Sequence, residues 1–179
     1  MYELVTPRLR LVPYDEAALA LAVEDQAAAA RAIGAVIAAP TFWEHRFMSK
    51  IYAAKLAMTR REPEAWLLST YWQIIPAGTP SVVVGTVGFK GPPINGLVEI
   101  GYGLQPPYRH LGYMSEAVPA MCEFAFGQGL YPVGRIFAAT ERGNIASQKV
   151  LKKCGFEFSE QRNGLYIWIR RKHTLEINF

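Results

Sequence analysis

Leu97-Val98-Glu99-Ile100-Gly101-Tyr102-Gly103-Leu104, then Gln105-Pro106-Pro107-Tyr108, then Arg109-His110-Leu111-Gly112-Tyr113-Met114-Ser115-Glu116-Ala117 is the stretch that decides the fold. Val98, Ile100, Tyr102 and Leu104 alternate with the period of a strand. Pro106 and Pro107 end it, because neither has an N–H to give to a sheet ladder. Beyond Gly112 the apolar period becomes Met114, Val118, Met121, Cys122 and Ala125, one face of a helix. A tight turn thus delivers several unpaired N–H groups to a helix start, where the helix dipole adds positive potential. Such a place binds anions and suits a pyrophosphate. The same residues, taken alone, also fit an ordinary turn.

Downstream, residues 135–141 read as a second strand, so strand, crossover helix and strand predict parallel pairing. The carboxyl ends of that pair would flank a ligand. In residues 144–155 Asn144 caps a helix with Val150 and Leu151 inward, Lys149, Lys152 and Lys153 outward, and Gly155 closing it. Residues 156–159 and 165–171 form a hairpin across Asn163-Gly164. Upstream, Asn95-Gly96 is a hairpin signal, so the strand carrying Glu99 pairs antiparallel with the Val-rich residues 82–89. Residues 66–75 alternate as a further strand. Thr41-Phe42-Trp43-Glu44 fits a capping box for a helix with Phe47, Ile51, Ala54 and Met58 on its inner face, ended by Pro63. Residues 34–40 are a break. Asp15 and Glu16 open an Ala-rich helix reaching about residue 30, after a first strand over residues 8–12. Pro119 removes a hydrogen bond from the helix behind the turn.

The 179 residues suit one domain over 1–179, and 51% apolar composition is ample for a core. A net charge of +4 tolerates an anionic ligand but is not the dense basic stripe of a nucleic-acid binder. Two cysteines cannot form a disulfide framework, and no Cys/His cluster suggests a metal. No apolar run approaches the roughly 20 residues of a membrane span, and the opening residues lack a signal-peptide core. The expectation is a cytoplasmic protein with no membrane or nucleic-acid partner.

Arg109-x-x-Gly112-x-Met114 resembles the acyl-CoA-binding loop of the GNAT N-acetyltransferase superfamily, where Arg or Gln, x, x, Gly, x, Gly or Ala is usual. The wider run from Glu99 to Ala117, and the opening Thr6-Pro7-Arg8-Leu9-Arg10-Leu11, resemble the branch of ribosomal-protein N-terminal (alanine/serine) acetyltransferases. Asn144-Ile145-Ala146-Ser147, Val150-Leu151 and Gly155-Phe156 match the superfamily's second block, so the resemblance covers residues 6–171. Two positions depart from it. Met114 replaces a small residue, and His110 stands where the branch often has Gly, so a positive φ there would be strained.

The resemblance implies an α/β GNAT acyl-CoA N-acyltransferase fold: a mixed, mostly antiparallel sheet with a central V-shaped split, flanked by helices. It implies acetyl-CoA as co-substrate, no metal, and transfer to a primary amine by direct attack in a ternary complex. The cofactor-binding residues would be Leu104, Arg109, His110, Leu111, Gly112, Tyr113, Met114, Ser115, Asn144, Ser147 and Lys149. The acceptor would be a peptide N-terminus. A small-molecule amine (polyamine, amino acid or aminoglycoside-like) and a non-catalytic acyl-CoA sensor are the alternatives, in a monomer or homodimer. Residues 41–63 would wall the acceptor site.

Leu97, Glu99, Gly101 and Gly103 share one strand face, so beyond the carboxylate two positions carry no side chain. That gap suits an acyl group and an incoming amine. Glu99 is the candidate general base, directly or through water, or else a rim carboxylate that attracts a cation; a bulge would invert its facing. An α-amine with a pKa of about 8 is easier to deprotonate than a lysine at about 10.4, by about 3 kcal/mol. Ser147 is the candidate acid for the departing thiolate, as implied by the branch, or simply a hydroxyl on the helix's first turn. Tyr166 and Tyr108 are alternative donors.

Overall fold

The computed structural model describes residues 2–37, 45–78 and 80–173. Strands β1 (Leu4–Val5) and β2 (Leu9–Pro13) lead into helices α1 (Glu16–Glu24) and α2 (Gln26–Ala32). After β3 (Val36–Ile37) come α3 (His45–Arg61), a helical turn α4 (Trp66–Ser69) and β4 (Tyr71–Pro76). Then follow β5 (Val82–Val83), β6 (Gly85–Phe89), β7 (Leu97–Leu104), α5 (Met114–Phe126) and β8 (Arg135–Glu141). The chain ends with α6 (Ile145–Lys153), β9 (Glu157–Arg162) and β10 (Leu165–Arg171). Among the described residues the main sheet runs β1-β2-β4-β6-β7-β8-β10-β9, with β3 and β5 a separate parallel pair. Among the described residues only β7 and β8 pair in parallel within the main sheet. This is the mixed, mostly antiparallel GNAT-like architecture expected.

Local chemistry explains the elements. Asn95 and Gly96 have φ of 51° and 72°, and Asn163 and Gly164 have 51° and 79°. Two successive positive φ values make the tight hairpin turn that Asn-Gly favours. Asp15 caps α1 by accepting from the Ala18 amide at 2.8 Å, and Asn144 caps α6 by accepting from Ser147 at 3.1 Å. The central strands β4 and β6 are buried on both sides. Trp72, Ile74, Val87, Phe89, Val98 and Ile100 face α5 and α6 through Met114, Val118, Met121 and Leu151. Ile75 and Val83 face the helices of the opposite layer through Leu19, Met48 and Tyr52.

The central split follows from the register. β7 pairs with β8 only from Leu97↔Arg135 to Glu99↔Phe137, while β8 stays on β10 along its whole length. β7 stays on β6 from Ile100 to Leu104 without a shift. Beyond Glu99 the two parallel strands therefore part. With no bulge, Leu97, Glu99, Gly101 and Gly103 keep the facing read from the sequence, opposite Val98 and Ile100.

Four expectations need correction. Residues 66–75 are not one strand: Pro63 opens a 3-10 turn that runs into α4, and Thr70 closes it by donating to Trp66 at 2.9 Å. Alternation over so short an apolar run does not separate strand from helix. The Ala-rich helix is two helices, because Asp25 leaves the helical conformation and caps α2 through the amides of Ala27 and Ala28. The break after Gly34 contains β3. On α3 the buried residues are Met48, Tyr52, Lys55 and Thr59, whereas Ala54 is exposed and Phe47 is 53% exposed. The capping box at 41–44, with Trp43, lies outside the described residues.

α5 runs through Pro119, which has no N–H for the Ser115 carbonyl one turn back. The buried Cys154 thiol lies 4.0 Å from that carbonyl and joins the end of α6 to the start of α5. Burial pushes the Cys154 thiol up to about 11 and the Cys122 thiol up to about 12, so both are packing groups.

Candidate active site

The turn between β7 and α5 begins with a helical turn at Pro106–Tyr108, where the Arg109 amide donates to Pro106 at 3.2 Å. The next amide bonded to protein is that of Glu116, to Tyr113 at 3.1 Å. Among the described residues no protein acceptor takes the six amides from His110 to Ser115. His110 at φ 63° and Gly112 at φ 81° precede right-handed Tyr113, an alternation that gathers successive N–H groups into an anion-binding concavity. His110 bears the strain expected of a non-glycine residue there, about 1 kcal/mol. Met114 sends its side chain into the core and keeps its amide at the turn, so its size does no harm.

Arg8, between β1 and β2, buttresses this turn, a role the sequence did not disclose. Its guanidinium donates to Glu116 at 2.7 Å and to the Leu111 carbonyl at 2.9 Å, and lies 5.3 Å from the Tyr113 ring centre. The Thr6 hydroxyl and the Arg8 amide also donate to Glu116. Burial pushes the Glu116 carboxyl up, but these hydrogen bonds outweigh it and hold the group below its ordinary value of 4.5. A depressed folded-state pKa gives stability that is present above the unfolded value and lost as pH falls through the folded one. Glu116→Gln is accordingly expected to cost about 2 kcal/mol at neutral pH. It should also flatten the loss of thermal stability below pH 4.5, as measured by melting across pH.

Backbone groups continue the site into the split. Lys90 donates to the Glu99 carbonyl and Gln105 to the Val84 carbonyl, each at 2.9 Å. Odd-numbered residues of β7 therefore spend their backbone on β6. Tyr102 and Leu104 turn theirs to the side that β8 has left. The Leu104 carbonyl accepts from Arg109 Nε at 3.2 Å, which leaves the N–H groups of Tyr102 and Leu104 and the Tyr102 carbonyl in the split.

On the far face Glu99 is 20% exposed and pairs with Lys90, Nζ to Oε1 2.5 Å. The Tyr71 ring lies over Gly88 and its Oη comes within 3.5 Å of where a Gly101 Cβ would sit; Lys90 Cε is at 3.9 Å. The floor at Gly101 is thus bare, with room for about one methyl. Lys55 of α3, only 4% exposed, donates to the Phe89 carbonyl and lies 4.8 Å from the Tyr71 ring centre. Burial and then Lys90 push its pKa down to about 8, against an opposing pull from Glu99. Gly101→Val should fill the floor, leaving coenzyme A affinity intact and lowering acceptor turnover by roughly 10- to 100-fold; calorimetry and initial rates measure the two effects separately.

Residues 8–157 match the family described as the Acetyltransferase (GNAT) domain. The chain belongs to that family. An uncharacterised N-acetyltransferase of Bacillus subtilis (strain 168), YjdG, is 35% identical over 99 residues, 55% of this chain and 57% of that protein. The match thus spans a little over half of that relative's length. RimL, a ribosomal L7/L12 alpha-N-protein acetyltransferase solved with coenzyme A, superposes with a TM-score of 0.63 at 19% identity, over 94% of this chain and 96% of RimL. The ribosomal-protein-S5-alanine acetyltransferase of Vibrio fischeri gives 0.63 at 17% identity, over 96% and 97% of the two chains. At such identities the structures establish a shared fold.

In this GNAT domain the other face of the split carries Ser147. Its carbonyl accepts from the Tyr102 hydroxyl at 3.3 Å, and its amide is spent on Asn144. Burial pushes the Tyr102 phenol well above its ordinary value, so it stays protonated. The Tyr102 phenol thus stands beside Ser147 with its proton directed to that carbonyl, whereas in the sequence it counts only as one of the alternating residues of the strand. Tyr166 instead packs edge-on to Phe158, with ring centres 5.4 Å apart, and Tyr108 lies half-buried against the core. Asn144 is exposed at the start of α6 and Lys149 at its middle, while Lys152 lies 5.6 Å from the Trp168 ring centre. Glu99 and Ser147 therefore lie on opposite faces of β7, either side of the opening.

Proposed function

We propose that this GNAT domain transfers an acetyl group from acetyl-CoA to a primary amine, with a protein N-terminal amine as acceptor, by direct attack in a ternary complex. One observation carries the reading: a sheet opened beyond Glu99, with six unspent amides at the end of the opening and a carboxylate on its far face. Acetyl-CoA would supply the activated thioester. The amides of His110 to Ser115 bind the diphosphate, with Arg109 and Lys149 adding positive charge. The Leu104 and Tyr102 backbone groups hold the pantetheine arm as a missing strand would be held, and Asn144 borders it. The Tyr102 N–H meets the carbonyl oxygen as charge develops there.

Glu99 takes a proton from the amine, directly or through water. Ser147, or the Tyr102 phenol bonded to it, meets the thiolate on the opposite face. An α-amine suits a modest base, because it is already partly neutral near pH 8. Related folds whose names include ribosomal N-terminal acetyltransferases support the same acceptor class.

A panel of N-terminal peptides set against polyamines, amino acids and aminoglycosides tests the acceptor. The expected result is acetyl-CoA-dependent turnover of peptide α-amines with higher kcat/KM than any small amine. Preference for a small amine would replace the acceptor, and coenzyme A binding without turnover of any amine would make the domain a sensor.

A further inference from the structure

The geometry points to Lys90 as a self-acetylation site: its amine, held on Glu99 beside Gly101, is an acceptor already lodged in the transfer site. The inference rests on the acetyltransferase reading above. Lys90 Nζ sits 2.5 Å from the carboxylate proposed to deprotonate an incoming amine. Its arm passes 3.9 Å from the bare position at Gly101, just past the last β7–β8 pair. Its backbone is fixed on β7 by the bond to the Glu99 carbonyl, so the amine is tethered at high effective concentration. The side chain is 57% exposed, so there is room for the arm to turn from Glu99 toward the opening. Lys55, the other amine on this face, is buried and spends its ammonium on the Phe89 carbonyl.

In the step, Glu99 takes one proton from the Lys90 ammonium, and the freed lone pair attacks the thioester carbonyl carbon. The N–C bond forms and the C–S bond breaks. Coenzyme A leaves as a thiolate that takes up a proton, and the nitrogen loses its second proton to solvent. Acetyl-CoA and a lysine ammonium thus give Nε-acetyl-lysine, free coenzyme A thiol and one proton.

The full chain incubated with acetyl-CoA and no acceptor should gain one acetyl group, mapped to Lys90 by peptide mass spectrometry, at a rate independent of protein concentration. Lys90→Arg should abolish that modification, and Glu99→Gln should slow it by about 100-fold. Acetylation spread over exposed Lys149, Lys152 and Lys153 and indifferent to Glu99→Gln would mark ordinary chemical acetylation and overturn the inference. An unmodified Lys90 in a preparation that turns over a peptide amine would overturn it while leaving the acetyltransferase reading intact. Failure to bind acetyl-CoA at all would overturn both.

Discussion

Gly112→Glu is expected to weaken coenzyme A binding by about 100-fold while leaving the chain folded. The new carboxylate would stand among the amides proposed to hold the diphosphate, replacing attraction with like-charge repulsion. A hydrogen bond to a charged group is worth about 1.5–3 kcal/mol, so losing one and adding repulsion amounts to about 3 kcal/mol, or roughly 100-fold. Folding should suffer less. A side chain at φ 81° costs about 1 kcal/mol. Its Cβ would meet an Arg8 terminal nitrogen at 3.3 Å, the far end of a flexible side chain that is able to shift. Calorimetric titration together with a melting curve separates the two effects. Unchanged coenzyme A affinity in a folded variant would count against the anion-binding turn.

Glu99→Gln is expected to lower kcat/KM for the acceptor by about 100- to 1,000-fold near neutral pH, with coenzyme A affinity within about twofold of the parent. Glutamine keeps the shape of the side chain and removes the proton acceptor. As pH rises through about 8 an α-amine deprotonates in solution, so the deficit should narrow at higher pH. Should Glu99 merely attract a cation at the rim, the variant would instead raise KM with little change in kcat. Initial rates across pH and acceptor concentration distinguish the two roles.

The turn and the opening were legible because their residues have few other uses. Pro106 and Pro107 stop a strand wherever they occur, Gly112 permits a left-handed turn, and a strand–helix–strand order leaves little but parallel pairing. Asn95-Gly96 and Asn163-Gly164 fixed their hairpins for the same reason. The inner face of α3 was not legible, because half of it is polar. Lys55, against Tyr71, and Thr59 are buried there beside Met48 and Tyr52, so the apolar stripe of Phe47, Ile51, Ala54 and Met58 pointed one residue away from the contact. Arg8 was not legible either, since its partner Glu116 lies a whole sheet away in the chain. Tyr102 reads in the sequence as one more alternating residue of the strand; its hydroxyl gains a partner only when α6 brings the Ser147 carbonyl to it. Distant pairings of this kind leave no local periodicity to read.

The most direct test is a titration of the ¹⁵N-labelled chain with coenzyme A, followed through the amide resonances. The His110, Leu111, Gly112, Tyr113, Met114 and Ser115 amides should show the largest shifts and gain protection from exchange, with the Tyr102 and Leu104 amides following. Saturable coenzyme A binding that leaves those six amides unmoved would contradict the anion-binding turn.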